Sequence, residues 1–288
     1  MKTQTEEWDI VVKPKANLFQ FGFKQVWDYR DLIFLFVKRD LVSSYKQTVL
    51  GPLWYFIQPI FTVIIYFFMF GKIAKISTGE IPNMLYYMGG LVTWNYFTDC
   101  LNITSNVFAN NASLFGKVFF PRLIVPISSI FSSLLKFLIQ MILFLCFWFY
   151  YKFSGTAPML RIGTTIFLLP LLVLEIGLLG MSFGLILSAL TTKYRDLRNL
   201  ISYALQFGLY SSPIIFSLAW IKENIPIFYK ICLINPMTGI IETFKSCFWP
   251  NDNINLYLVL YPPVFLLVIF FFSLITFNKV EKTFLDSV

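Results

Sequence analysis

The chain has 288 residues, of which 57 % are hydrophobic and only 13 % are Asp, Glu, Lys or Arg, with 34 Phe and 15 Tyr. A water-soluble domain of this length carries about 25 % charged residues to cover its surface. Buried parallel strands would give apolar runs of about four to eight residues, whereas several runs here reach bilayer-spanning length. A soluble enzyme is therefore excluded, and the formal net charge of +8 matters through where the charges lie rather than through their sum.

Residues 1–17 mix acids (Glu6, Glu7, Asp9) with bases (Lys2, Lys13, Lys15). No cleavable apolar core follows them, so this stretch is expected to stay in the cytoplasm. From about residue 25 to 43, Trp27, Leu32, Ile33, Phe36, Val37 and Leu41 recur at helical spacing, with Arg30, Asp31, Lys38, Arg39 and Asp40 on the remaining surface. The apolar run is too short to cross, so the pattern predicts an amphipathic helix lying in the membrane interface.

Six apolar segments long enough to cross follow, at about 53–71, 84–107, 124–150, 163–190, 200–220 and 256–277. At 1.5 Å per residue each covers the roughly 30 Å hydrocarbon core. The second is the least apolar, because Asn95, Asp99, Asn102 and Asn106 fall inside it. The fifth, with Gly208, Ser211, Ser212 and Pro213, is the most prone to a break. Between the fifth and sixth, residues 225–236 and 237–248 are apolar but too short to span, which predicts re-entrant or interfacial helices broken at Asn235–Pro236. The organisation is thus a cytoplasmic tail and interfacial helix (1–52), a six-helix membrane domain (53–277) and a short tail (278–288): an all-α polytopic membrane protein.

The bases set the orientation. With the N-terminus inside, fifteen Lys and Arg lie on the cytoplasmic side: eight before residue 52, then Lys117, Arg122, Lys193, Arg195, Arg198, Lys279 and Lys282. Lys72, Lys75, Lys152, Arg161, Lys222, Lys230 and Lys245 lie outside, and Lys136 falls within the third span. Positive residues accumulate in cytoplasmic loops, so both ends are placed inside.

Within the spans, Asp99, Lys136 and Glu175 are the ionisable residues; each must face the bundle interior, water or another polar group. They fit helix adhesion or the lining of a pathway more readily than a proton relay. Gly180, Gly184 and Ser188 form a small-residue stripe at four-residue spacing in the fourth span, suited to close helix contact within the chain or across a dimer. Aromatics cluster near the predicted ends of spans, as an interfacial belt requires; Tyr203, Phe207 and Tyr210 share one face of the fifth span and are candidates to stack on a sugar. The absence of histidine removes histidine-based metal sites and triads. Of Cys100, Cys146, Cys232 and Cys247 none forms a C-x-x-C pair, and Cys232 with Cys247 would pair only in an oxidising compartment.

No G-x-x-x-x-G-K-[ST] run occurs, so any ATP-driven step needs another chain to supply the ATPase. The short loop 110–122, with Phe115, Lys117, Phe119, Phe120 and Arg122, reads equally as a generic connection or as a small helix seated in a partner's groove.

The run Lys38-Arg39-Asp40-Leu41-Val42-Ser43-Ser44-Tyr45-Lys46-Gln47-Thr48-Val49-Leu50-Gly51-Pro52-Leu53-Trp54, with Gln58-Pro59, resembles the approach to the first span in ABC-2 type polysaccharide export permeases, the family of O-antigen and teichoic acid export subunits. The likeness extends over the whole chain, including Tyr194-Arg195-Asp196 and Asn235-Pro236. It implies a type V exporter-like fold and a homodimer of this chain in a bacterial inner membrane. It also implies two copies of a separate ABC ATPase, which binds ATP and Mg while this chain holds no cofactor. The implied cargo is a lipid-linked polysaccharide (O-antigen, capsule or teichoic acid), with no nucleic acid involved. Carried onto this sequence, the resemblance makes Trp27, Arg30, Lys38 and Arg39 part of a gate helix, and Phe115, Lys117, Phe119, Phe120 and Arg122 the coupling element that receives the ATPase stroke. It makes Tyr55, Tyr66, Tyr203, Phe207 and Tyr210 channel lining, and Asn235, Pro236 and Met237 part of the exit. The alternatives are an ABC-2 permease for a drug or lipid, or an integral membrane lipid-glycan transferase; the latter would need clustered acids or histidine at a membrane face.

Overall fold

The computed structural model describes residues 23–46, 49–115, 117–118, 120–194, 196–250 and 255–284. The tail 1–22, Gln47 and Thr48 of the approach motif, Phe119 of the expected coupling element and Arg195 lie outside the described residues, as do Gly116, 251–254 and 285–288. The described residues are all helix and connecting turn. Two helices at the N-terminal end, α1 (Phe23–Asp28) and α2 (Arg30–Tyr45), replace the single interfacial helix the spacing predicts, because the backbone at Tyr29 leaves the helical range (φ −99°, ψ 23°). A 3₁₀ turn at Gly51–Leu53 leads into α3 (Trp54–Tyr66), which continues as a π-helical segment, Phe67–Ile73. Then come α4 (Asn83–Ser105), α5 (Val107–Phe115), α6 (Ile124–Phe153), α7 (Leu169–Lys193) and α8 (Leu197–Tyr210). Three short helices, α9 (Leu218–Asn224), α10 (Pro226–Ile234) and α11 (Pro236–Ser246), precede α12 (Leu256–Phe284).

Among the described residues four stretches are long and apolar enough to cross a membrane by length and composition: Gly51–Ile73, Ile124–Phe153, Thr164–Thr191 and Leu256–Val280. The chain is therefore a multi-pass helical membrane protein. The second and fifth expected spans differ, for separate reasons. The 23-residue α4 is long enough, at roughly 34 Å, but its polar residues lower its hydropathy. It is the central helix, packed against α3, α6, α7 and α11, so it needs no lipid-facing side. The fifth stops early: α8 has 14 residues, roughly 21 Å, and ends at Tyr210 where 200–220 predicts a full crossing. Ser211 and Ser212 turn their hydroxyls back onto the Gly208 carbonyl, at 3.1 and 2.8 Å, and Pro213 has no N–H with which to continue the helix. The chain then runs buried through Pro213, Ile214 and Ile215 before α9.

The stripe on α7 packs within the chain, against α4. A Cβ added at Gly180 would lie 2.7 Å from the Phe97 carbonyl oxygen and 2.8 Å from Cys100 Cβ; at Gly184 it would lie 2.6 Å from Thr104 Cβ. Glycine lets these two backbones approach where any side chain would hold them apart. On the other side of α4, polar residues are matched in antiparallel register with α6. Asn95 donates to Gln140 (3.2 Å), Asp99 lies within electrostatic reach of Lys136, and the Thr104 and Ser129 hydroxyls are 3.1 Å apart. The polar residues that make α4 a poor hydropathy span are thus the ones that tie it to α6. Of the two apolar clusters of the core, the larger is built around α4 and the smaller lies among α1, α2, α5, α6, α7 and the end of α12.

Candidate functional site

At the N-terminal end, the expected gate and coupling residues meet. Phe36 of α2 is buried and packs 5.8 Å, ring to ring, from Phe120; Phe120 packs 5.7 Å from Phe115. Phe115 continues to Phe108 at 6.2 Å, and Phe108 stacks on Phe277 of α12 at 5.1 Å. The Arg122 guanidinium, itself buried, lies 5.5 Å over the Phe115 ring. Arg39 caps the Phe36 ring at 4.6 Å and donates to Asn111 Oδ1 at 3.4 Å. Asn111 is also where α5 kinks (φ −117°, ψ 15°). Aromatic pairs at these separations add about 0.5–1.5 kcal/mol each beyond their buried area, so α2, α5, the segment before α6 and the end of α12 form one contiguous packed unit. Phe115, Phe120 and Arg122 point into that unit, while Lys117 and Val118 stand exposed at the tip of the loop. Trp27, Arg30 and Lys38 are exposed on the outer surface of α1 and α2.

The expected channel residues divide between two settings. Tyr55 and Tyr66 of α3 are half-buried. The Lys136 ammonium lies 5.6 Å over the Tyr55 ring, so Tyr55 joins α3 to the Asp99–Lys136 pair. Tyr66 makes edge-on contacts with Phe70 (5.6 Å) and Tyr87 (6.4 Å). Tyr203, Phe207 and Tyr210 lie on the uncovered face of α8, with Tyr203 70 % and Phe207 63 % exposed.

At the opposite end, α10 and α11 meet at Asn235–Pro236. Asn235 is the N-cap of α11: its Oδ1 accepts from the Met237 N–H at 3.0 Å, while its amide donates to Ser212 Oγ at 2.9 Å. One side chain thereby ties the start of α11 to the break that ends α8. Pro236 occupies the first turn, where its missing N–H costs nothing, and Met237 is buried in the core.

Sequence reasoning missed a second tie between the same segments. Lys245, counted above among the outer-loop lysines, is instead only 2 % exposed on α11. Its ammonium donates to the Pro213 carbonyl, sits 3.4 Å over the Tyr86 ring and lies 3.7 Å from Glu242 Oε1. Burial pulls the Lys245 ammonium down from its ordinary value and pushes the Glu242 carboxyl up, each opposed by the partner's charge. The signal available was the three-residue spacing of Glu242 and Lys245, which puts them on one helical face; that α11 folds back into the bundle was not visible. Asn111 and Gln140 were also missed, because their partners are 72 and 45 residues away. Cys232 and Cys247 are buried and unpaired.

The chain is 29 % identical over 260 residues to an O-antigen export system permease protein RfbA of Klebsiella pneumoniae, an alignment covering 89 % of this chain and 94 % of that protein. It is 25 % identical over 229 residues to the O-antigen export system permease protein RfbA of Myxococcus xanthus, covering 79 % and 84 %. Residues 31–249 match the family model of the ABC-2 type transporter. That match takes in α2 from Asp31 onward, the glycine-packed α4–α7 pair, the loop 110–122 and both ties at Asn235 and Lys245, and the chain belongs to the ABC-2 type transporter family.

Proposed function

We propose that this chain is the membrane permease of an ATP-driven exporter of a lipid-linked polysaccharide, O-antigen foremost, in a bacterial inner membrane. Two copies form the conduit and two copies of a separate ABC ATPase drive it. The observation that carries the reading is the near full-length likeness to O-antigen export permeases, which covers 89 % of this chain and 94 % of the first of them. The fifteen-to-seven distribution of Lys and Arg supports an N-in, C-in arrangement. In that arrangement α4, and α8 together with its buried continuation, complete six passages.

In this orientation the cluster at the N-terminal end faces the ATPase. Lys117 and Val118 are the exposed contact. A push on them passes through Phe120 and Phe115 to Phe36 and Arg39, and so moves α2 together with the end of α12. Packed side chains transmit such a displacement because the core is too dense to absorb it. The two α11 ties, through Asn235 and Lys245, hold the opposite end against α8, so a shift of α8 moves the short helices with it.

The test is genetic and biochemical. Deleting the gene in its source strain should abolish long surface glycan and leave lipid-linked glycan inside, and a plasmid copy should restore export. Affinity capture from restored membranes should bring down an ABC ATPase. Surface glycan of normal length in the deletion strain would refute the reading.

A further inference from the structure

A cavity of about 670 Å³ opens at the end opposite α1 and α2, framed by the loop before α4, α9, α10, α11 and the start of α12. Its volume falls in the range of small-molecule sites, roughly 300–1,000 Å³. It lies inside one chain, apart from the α8 face that carries Tyr203 and Phe207. Among the described residues four charged side chains border it, Glu80, Lys222, Glu242 and Lys245, and the charges of these four cancel.

The two bases and two acids are not equivalent. Lys245 is committed: its ammonium is held by the Pro213 carbonyl, the Tyr86 ring and Glu242. Glu242 is engaged on one side only. Its Oε1 is closed from solvent and turned toward Lys245 at 3.7 Å, an ion-pair separation too long for a hydrogen bond. The Glu242 side chain as a whole keeps 28 % of its surface exposed and borders the cavity. It is thus an anchored acid, part of whose surface faces the cavity. Tyr86 and Trp249, 6.4 Å apart and inclined by 32°, are buried behind the lining, and the half-buried Tyr229 of α10 is the ring that offers a face to the cavity.

A partly exposed carboxylate that accepts hydrogen bonds from hydroxyls, an aromatic face that covers C–H surface and balanced charges among the described lining residues together describe a site for an uncharged polyol. A phosphate-bearing chain fits poorly. Among the described lining residues no arginine is present to grip phosphate bidentately, the deeper lysine is already engaged, and Glu80 and Glu242 offset the pull of Lys222 on an anion. Resting on the glycan-export reading above, we propose that this cavity binds an uncharged sugar segment of the exported polymer, with Glu242 and Tyr229 as direct contacts and Lys245 positioning Glu242. Each permease would then hold the glycan at the outer face and favour neutral glycans over polyol-phosphate polymers.

The experiment uses the complete permease–ATPase complex in lipid nanodiscs, titrated by calorimetry with two probes. One is a size-fractionated neutral oligomannose, the other an oligomer of glycerol phosphate. Saturable binding of the neutral probe is expected, weakened about tenfold by Glu242→Gln, with no binding of the phosphate probe. Because Glu242→Gln also loosens the Lys245 tie, Tyr229→Ala is measured in parallel; it removes a wall without touching that tie and should weaken binding as well. Wild-type affinity in Tyr229→Ala and Glu242→Gln, no binding of the neutral probe to wild type, or equal binding of glycerol phosphate would overturn the proposal. Glycan export by the wild-type strain, measured alongside, separates the two failures. Export with any of those binding results sinks the cavity assignment alone, whereas absence of glycan export sinks the permease reading and the assignment with it.

Discussion

Replacing Gly184 or Gly180 with alanine tests the α4–α7 contact on which the bundle is built. At Gly184 the new methyl would sit 2.6 Å from Thr104 Cβ and 2.9 Å from the Leu101 carbonyl oxygen; at Gly180 it would sit 2.7 Å from the Phe97 carbonyl oxygen and 2.8 Å from Cys100 Cβ. Those neighbours are backbone atoms or Cβ atoms fixed to the backbone, so no rotamer change relieves the clash and α4 must move away from α7. Overpacking of this kind costs about 1–3 kcal/mol per site. The two sites share one helix pair, so the double variant will not be additive. Gly177→Ala is the internal control. Its methyl would meet Tyr96 Oη at 2.7 Å and Ile130 Cγ2 at 3.0 Å, side-chain atoms rather than the α4 backbone, so the helices need not separate and the cost should be smaller. The assay is heat-driven loss of the monodisperse species in detergent, followed by gel filtration. The expected order of stability is wild type, then Gly177→Ala, then either single variant, then the double. A Gly184→Ala protein as stable as wild type, but defective in self-association, would refute the argument by assigning the stripe to a dimer contact.

Four further outcomes are expected. Asn235→Ala removes the α11 cap and its link to Ser212, and should cost about 1 kcal/mol; Asn235→Asp keeps the acceptor for the Met237 N–H and should recover most of it, read by thermal stability. Phe120→Ala opens the contact with Phe36 and Phe115, and should destabilise the N-terminal end by about 3 kcal/mol while lowering glycan export per ATP hydrolysed. Lys117→Glu, at an exposed position, should leave stability unchanged and weaken capture of the ATPase. For Asp99 and Lys136, either Asp99→Asn or Lys136→Met alone should lower the yield of folded protein in membranes more than the double variant does, because a single change strands one charge. Additive losses would show that the two do not interact.

Much of the fold was legible because the bilayer imposes length and hydropathy on whatever faces it. The stretches around 53–71, 124–150, 163–190 and 256–277 are apolar because their outer faces meet lipid. The Asn235–Pro236 break was legible because a capping side chain followed by proline is a local signal, complete within two residues. The shortened fifth helix was half legible: Gly208, Ser211, Ser212 and Pro213 marked the weak point, but only the fold shows that the helix ends there. Phe115, Phe120 and Arg122 drew attention as an aromatic and basic loop. Phe36, which packs on Phe120, and Phe277, which packs on Phe108, come from distant parts of the chain, and no local pattern could place them in the same cluster. Phe119 lies outside the described residues, so its place in that cluster rests on the sequence alone.

The same reasoning explains why the residues with the most structural consequence read as blemishes. Asn95, Asp99 and Thr104 lower the hydropathy of α4, and in an isolated helix they would oppose insertion. In the bundle they meet Gln140, Lys136 and Ser129 in one continuous register with α6, so their cost is offset only once both helices are in place. Lys245 follows the same logic on a shorter helix: as a loop lysine it would be unremarkable, yet buried on α11 it reaches the Pro213 carbonyl that the break in α8 leaves open. Each of these polar groups is unfavourable until a partner distant in sequence arrives. Apolar pattern therefore locates the helices that face lipid, whereas polar residues at matching depths in different helices locate the contacts inside. Exchanging Asn95 and Gln140 tests that rule. The swap preserves composition and hydropathy, changes only which helix carries the longer side chain, and should retain most of the stability that Asn95→Leu alone removes.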